Sequence, residues 1–239
     1  MSKTKIPQRV AEEIRENSIK SKFIIRGKAL TDRQKAFSEI ATDANTKVVF
    51  VSGPSGSTKT YMAVYSALQC LKLDNELDLL YVRTAIESAD KGLGALPGTL
   101  EEKINPYMVP LEDKLNELLP KNNTLKSELL STGRISAMPI NFLRGASWDD
   151  KIVIADESQN FTFKELVTLI TRIGENTKLF ICGDAMQSDI GHKSGFSEMY
   201  SIFNDQESVT KGIHCFSFKE SDILRSKILK YIIKKIKTV

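Results

Sequence analysis

Residues 47–60 read KVVFVSGPSGSTKT, an apolar run that opens into a Gly/Ser loop and closes on Lys59-Thr60. Lys47-Val48-Val49-Phe50-Val51 suits a short strand buried on both faces. A helix is expected next, from about Lys59 to Leu71. Strand, loop and helix in that order are the setting a phosphate loop requires, and Gly53-Pro54-Ser55-Gly56-Ser57-Thr58-Lys59-Thr60 supplies the motif. The backbone N–H groups of such a loop, with the helix N-terminus behind them, wrap the phosphates of a nucleotide. Lys59 would neutralise the β- and γ-phosphates of ATP, and the Thr60 hydroxyl would ligate magnesium. One position departs from the pattern. The glycine that normally precedes the lysine is Thr58, whose β-branch restricts the backbone and adds bulk near the phosphates. Altered affinity is expected there rather than loss.

The same grammar recurs on either side. Leu79-Leu80-Tyr81-Val82, Ile152-Val153-Ile154-Ala155 and Leu179-Phe180-Ile181-Cys182 are further buried-strand runs, each followed by polar residues or glycine and then a helical stretch. Ile213 to Phe218 reads as another strand. Strands alternating with helices imply an α/β domain, a mainly parallel sheet with helices on both faces. Thr31-Asp32 marks a helix start, with Phe37 and Ile40 on one side of that helix. Residues 1–30 read as a basic arm outside the core. Residues 91–150, with Gly92, Gly94, Pro97, Gly98, Pro106 and Pro110, break the rhythm and read as an insertion carrying a helix-like segment near 111–130. From about 221 to 237 the pattern gives an amphipathic helix, with Ile223, Leu224, Ile228, Tyr231 and Ile232 inward and lysines outward.

Composition bounds the class. A hydrophobic fraction of 41% over 239 residues supports a full core, and charged residues at 27% with both signs scattered argue against wholesale disorder. The net charge of +4 permits nucleic-acid binding without arguing for it, because an electrostatic footprint would be a clustered patch. Cys70, Cys182 and Cys215 are widely spaced, which suggests reduced thiols in a cytoplasm; with only His192 and His214 beside them, a structural zinc site is not expected. The polar N-terminus is unlike a signal peptide, and no apolar run approaches the ~20 residues of a membrane span.

Two further motifs carry chemistry. Asp156-Glu157 follows a buried strand, so both carboxylates emerge at the strand's C-terminal edge, where open parallel sheets bind ligands. Asp156 would hold magnesium, usually through water, and Glu157 would act as general base on the attacking water. That pair separates a hydrolase from a small-molecule kinase, whose acceptor brings its own hydroxyl. Gly183-Asp184-Ala185-Met186-Gln187-Ser188-Asp189 follows another strand, and Gln187 could reach the γ-phosphate or the water. Upstream, the Gln34 amide has both donor and acceptor and could read the adenine edge; a surface glutamine is the plainer reading.

At these blocks the sequence resembles the PhoH family of P-loop ATPases, particularly the short forms encoded by bacteriophages. The likeness runs from about Gln34 to the C-terminal helix. It takes in Arg83, Glu87, Leu96-Pro97-Gly98-Thr99-Leu100-Glu101-Glu102-Lys103, Pro106-Tyr107 and Leu143-Arg144-Gly145. It continues through Asp156-Glu157-Ser158-Gln159-Asn160, Thr171-Arg172-Ile173-Gly174, Gly183-Asp184, Gln187, Asp189, Lys193-Ser194-Gly195 and Arg225. Departures are Thr58 for glycine, Thr84 for proline, an additional Gly92, and Ala146 for a basic residue, which puts a phosphate or nucleic-acid contact there in doubt. The resemblance implies a single RecA-like domain, ATP and Mg2+ as ligands, and helicase-like activity linked to RNA handling. Family members with ribonuclease activity carry an additional nuclease domain, which is not expected here.

A helicase of this class cleaves ATP between two RecA-like domains, so one domain implies a homo-oligomer, such as a hexameric ring, working on single-stranded RNA or DNA. The alternative is a slow ATP-binding switch, for which Thr58 is the rationale. Arg225 is the candidate arginine finger reaching a neighbouring subunit, with Arg144 and Arg172 as rivals and an Asp222-paired surface arginine as the plain alternative. The lysine-rich C-terminal face would be a solvated surface rather than a membrane or nucleic-acid contact.

Overall fold

A computed structural model of the chain describes residues 23–27, 29–84, 100–121, 124–143 and 147–222, with 100–104 described by backbone alone. The N-terminal arm up to residue 22, Glu87, Gly92, Pro97, Arg144, Ala146, the C-terminal helix from Ile223 and Arg225 lie outside the described residues.

Six strands form one sheet in the order β3-β2-β4-β5-β1-β6, and every pairing is parallel. They are β1 (Val48–Ser52), β2 (Asp78–Arg83), β3 (Ile135–Pro139), β4 (Lys151–Ala155), β5 (Lys178–Gly183) and β6 (Ile213–Ser217). Successive side chains of one strand feed opposite layers. Val49 and Val51 join Phe37, Met62, Leu68, Leu111 and Phe180 on one face. Val48 and Phe50 join Trp148, Leu166, Leu169 and Phe196 on the other. Helices α1 (Asp32–Thr42), α2 (Lys59–Leu73), α3 (Leu100–Leu118) and α4 (Leu125–Ser131) cover the first face. Helices α5 (Phe163–Ile170) and α6 (Phe196–Ile202) cover the second, and the short α7 (Gln206–Thr210) leads into β6. This is the α/β arrangement expected of the strand–helix alternation, a parallel sheet with helices on both faces.

The stretch from 91 to 150 is not simply an interruption. It contains β3, which pairs with β2 along the sheet edge from Leu79↔Ile135 to Arg83↔Pro139. An edge strand is half-buried, so Ile-Ser-Ala-Met-Pro alternates instead of running apolar and escapes a search for continuous runs. The helix is also longer than its prolines suggest, because Pro106 and Pro110 lie inside α3. Each proline removes one ladder hydrogen bond. Burial of Tyr107, Leu111, Leu115 and Leu118 along one stripe outweighs that loss, since packing of an apolar face supplies most helical stability in proteins. The expected single helix near 111–130 is two, α3 ending before Pro120 and α4 beginning at Leu125.

Candidate nucleotide site

The C-terminal ends of β1, β2, β4 and β5 open into a cleft of about 520 Å3, within the range of ligand pockets. The loop after β1 forms its floor. Gly53 has φ +154°, and a Cβ there would meet Phe218 Cβ, Phe218 O and Ser57 Oγ, each at 2.9 Å, so the residue that follows β6 packs directly against the loop. Helix α2 carries no side-chain cap, and the first-turn N–H groups of a helix have no intrahelical acceptors. The positive end of its dipole therefore faces the loop. Lys59 Nζ donates to the carbonyls of Gly53 at 2.7 Å and Pro54 at 3.1 Å. The buried Ser57 Oγ has no hydrogen-bond partner among the described residues.

Thr58 sits in the left-handed region at φ 72°, ψ 14°. An L-residue with a Cβ is strained there by roughly 1–2 kcal/mol. Its Oγ1 accepts a hydrogen bond from Gln34 Nε2 at 3.0 Å. Gln34 is the N3 residue of α1, and its Oε1 accepts from the Thr31 N–H at 3.0 Å, completing a capping box. At 1% exposure Gln34 is not a surface residue, and both ends of its amide are engaged within the protein. The Thr31-x-x-Gln34 spacing was the sequence signal for that role.

Asp156 lies at the end of β4, buried, with both oxygens occupied. Oδ1 accepts from Thr60 Oγ1 at 2.8 Å and Oδ2 from Tyr81 OH at 2.5 Å. Burial first, then the Asp156 charge and the hydrogen bond to it, push the Tyr81 phenol well above the usual range, so it remains a donor. Tyr81 reads in sequence only as part of an apolar run; a tyrosine inside a buried strand nevertheless needs a partner for its hydroxyl. Glu157 adopts φ 53°, a strained backbone for a non-glycine residue, of the kind that concentrates at functional sites. Its Oε2 accepts from Gln159 Nε2 at 2.6 Å, and Arg83 stands 3.8 Å from its other oxygen.

The turn after β5 joins these parts. Asp184 Oδ2 accepts from the Ser55 N–H at 3.0 Å, and Oδ1 from the Met186 N–H at 3.0 Å. The Asp184 N–H donates to Gln159 Oε1 at 3.0 Å. Gln187 is exposed and lines the cleft, its N–H bonded to the Asp184 carbonyl. The cleft thus gathers Gln34, Ser55, Gly56, Thr58, Lys59, Thr60, Asp156, Glu157 and Gln187, with Gly53, Pro54 and Ser57 behind them. Arg172 lies in the α5–β5 connection, where its carbonyl accepts from the Trp148 N–H near the opposite, N-terminal strand edge. Sequence reasoning missed the far wall, where α3 presents Pro110, Asp113, Lys114 and Glu117 at one-face helical spacing.

A family model described as PhoH-like protein matches residues 25–237. The chain belongs to the PhoH-like family. A Bacillus subtilis PhoH-like protein is 35% identical over 224 residues, covering 93% of this chain and 66% of its own. A Mycobacterium bovis PhoH-like protein is 34% identical over 213 residues, 87% of this chain and 58% of its own. Escherichia coli protein PhoH is 31% identical over 182 residues, 75% of this chain and 50% of its own. The chain therefore spans about half to two thirds of the length of these relatives. Among solved structures, the Pif1 helicase of Candida albicans is similar at TM-score 0.39 and 13% identity, covering 81% of this chain and 40% of that one. A Bacteroides Pif1 in complex with ADP-AlF4 is similar at TM-score 0.36 and 18% identity, covering 87% and 45%. With the phosphate loop seated on its parallel sheet, this family member is a P-loop NTPase by fold.

Proposed function

We propose that this PhoH-like chain binds ATP with magnesium and hydrolyses it. The observation that carries the reading is the juxtaposition of Thr60 and Asp156, 2.8 Å apart, with Glu157 beside them in the same cleft. A hydroxyl and a carboxylate are the hard oxygen donors that magnesium takes, and it needs only one or two protein groups besides phosphates and water. The donor set fits. The α2 N-terminus, the loop amides and the Ser57 hydroxyl, which has no partner among the described residues, fit a polyphosphate.

Thr60 and Asp156 would hold the magnesium, whose charge would neutralise the phosphates. The chain does the rest. Lys59 turns from the Gly53 and Pro54 carbonyls toward the β- and γ-phosphates, and Arg83 faces the same space from β2. Glu157 takes a proton from the attacking water at its carboxylate. Gln187, which lines the cleft, contacts that water or the γ-phosphate. We further propose that the protein works in the cytoplasm as an oligomer, a ring such as a hexamer, on single-stranded RNA or DNA, with Arg225 completing the neighbouring site. Among the described residues no helix is long and apolar enough to cross a membrane.

A second reading, a slow ATP-binding switch without unwinding activity, draws on Thr58 and on the bond from Ser55 N–H to Asp184, which competes for a loop amide. Steady-state ATP hydrolysis by the purified protein, with and without single-stranded RNA and DNA, separates the two. Strong stimulation supports the motor, and flat, slow turnover supports the switch. Full activity in Lys59→Ala would end both.

A further inference from the structure

The Glu157 carboxylate ends a short chain of hydrogen bonds that begins in the phosphate loop. Ser55 N–H donates to Asp184 Oδ2, Asp184 N–H donates to Gln159 Oε1, and Gln159 Nε2 donates to Glu157 Oε2, at 3.0, 3.0 and 2.6 Å. Gln159 is the central link. It is 5% exposed, and its amide has one orientation that satisfies both neighbours: the oxygen must face the Asp184 N–H and the nitrogen the carboxylate. Its backbone is fixed as well, because the Ser188 hydroxyl donates to the Gln159 carbonyl at 2.9 Å. Next to it, Asn160 and Asp189 exchange two hydrogen bonds of 2.7 and 2.9 Å that close the same two loops together.

Glu157 needs such support. Its side chain is 45% exposed, so solvent offers it many rotamers. The Arg83 guanidinium at 3.8 Å supplies charge but not a short, directional bond. The 2.6 Å bond from Gln159 is charge-assisted and comes from a buried, doubly anchored donor. We infer that Gln159 is a positioning residue for hydrolysis: it holds Glu157 in the orientation for proton abstraction and ties that orientation to the phosphate loop through Asp184 and Ser55. The inference rests on Glu157 being the general base. Its consequence is directional. A phosphate that draws the Ser55 N–H away from Asp184 loosens one end of the chain, and the carboxylate at the other end responds.

Two variants separate the ends of the amide. Gln159→Glu keeps an oxygen for the Asp184 N–H but replaces the amide donor by a second carboxyl, which shares one proton with Glu157 or repels it. Gln159→Met removes both while nearly conserving volume. Both should lower kcat by about 10- to 100-fold, the scale of a roughly 1 Å misplacement, with KM for ATP within about two-fold of wild type. Because Gln159 acts through Glu157, neither should lower single-turnover hydrolysis by more than about two-fold in a Glu157→Gln background. Wild-type kcat in Gln159→Met overturns the inference, as does an undiminished effect in the double variants. Parallel loss of ATP affinity and melting temperature would make Gln159 structural and overturn it too. Should Gln159→Met fail to fold, Gln159→Leu, which also lacks a donor, takes its place. If Glu157→Gln itself leaves turnover unchanged, the assignment of the base has failed, and that outcome is distinct from all of these.

Discussion

Thr58 permits a stability test in which two small residues should behave differently. In Thr58→Ala the Cβ stays, so the left-handed strain of roughly 1–2 kcal/mol is retained. The Oγ1 acceptor is gone, and Gln34 Nε2 loses its partner at a site 1% exposed. An orphaned buried donor costs about 1–3 kcal/mol. Thr58→Gly loses the same bond but releases the strain, and the added flexibility of the unfolded glycine returns only about 0.5–1 kcal/mol of that relief. The net for glycine is therefore small, about 0–2 kcal/mol destabilising, and alanine should be the worse variant by up to about 1 kcal/mol. Urea unfolding of the three proteins measures the order directly. In a Gln34→Ala background no partner is left to orphan, so the cost of Thr58→Ala should nearly vanish while Thr58→Gly becomes neutral or stabilising. Equal stability of the alanine variant and wild type would refute the argument, because it would mean the Gln34 bond carries no weight. Nucleotide affinity of Thr58→Gly should stay near wild type, since the loop amides are unchanged.

Other consequences can be measured independently. Glu157→Gln should retain ATP on a filter or in a fluorescence titration while turnover falls roughly 10²–10⁴-fold, the scale for a general base; equal loss of binding would make Glu157 structural. Tyr81 gives a pH signature. Burial and the neighbouring Asp156 charge hold its phenol above the usual value of 10.0, so the folded chain holds the proton longer than the unfolded chain. That contribution is fully present below about pH 10 and is lost as pH rises, at up to about 1.4 kcal/mol per pH unit. Tyr81→Phe should be less stable at neutral pH by about 1.5–3 kcal/mol, the worth of a hydrogen bond to a charged group, and should lack that alkaline slope in urea titrations. For the arginine finger, mixtures of Arg225→Ala with Lys59→Ala subunits should recover ATPase activity that neither shows alone, and a fully active wild-type monomer would remove the case for it.

The parts legible in sequence are those whose cause is local. A strand buried on both faces must be continuously apolar, so β1, β4 and β5 declare themselves in Val48–Val51, Ile152–Ala155 and Leu179–Cys182. Gly53 to Thr60 declares itself because a tight turn, a helix start and a cation recur at fixed spacing. Strand β3 stayed hidden because an edge strand needs one apolar face only, and Ser136 and Met138 point away from full burial. Proline suggested a break at 106 and 110, yet the apolar stripe of α3 overrides it. Gln34 read as a surface residue because nothing within α1 reveals that Thr58 will lie against it. Asp184 and Gln159 were legible as residues but not as links, since their partners are distant in the chain and are chosen only by the sheet order that brings β4, β5 and β1 side by side.

That sheet order also bears on how the proposed site would work. Three of the chain groups assigned to the nucleotide already have partners: Lys59 has two carbonyls, Ser55 N–H has Asp184, and Thr60 has Asp156. On the proposed reading, ligand binding is therefore an exchange of bonds rather than a simple gain. Hydrogen bonds involving a charged group contribute about 1.5–3 kcal/mol each, so the internal set opposes binding by several kcal/mol. A triphosphate with magnesium overcomes it because each replacement is also charge-assisted and several form together. A monophosphate can replace fewer of them. Affinity should consequently rise steeply with phosphate number, and the step at which Ser55 leaves Asp184 is the step that reaches Gln159 and Glu157. Isothermal titration with AMP, ADP and ATP, each with magnesium, measures that steepness, and equal affinities for all three would mean that the internal bonds are not exchanged.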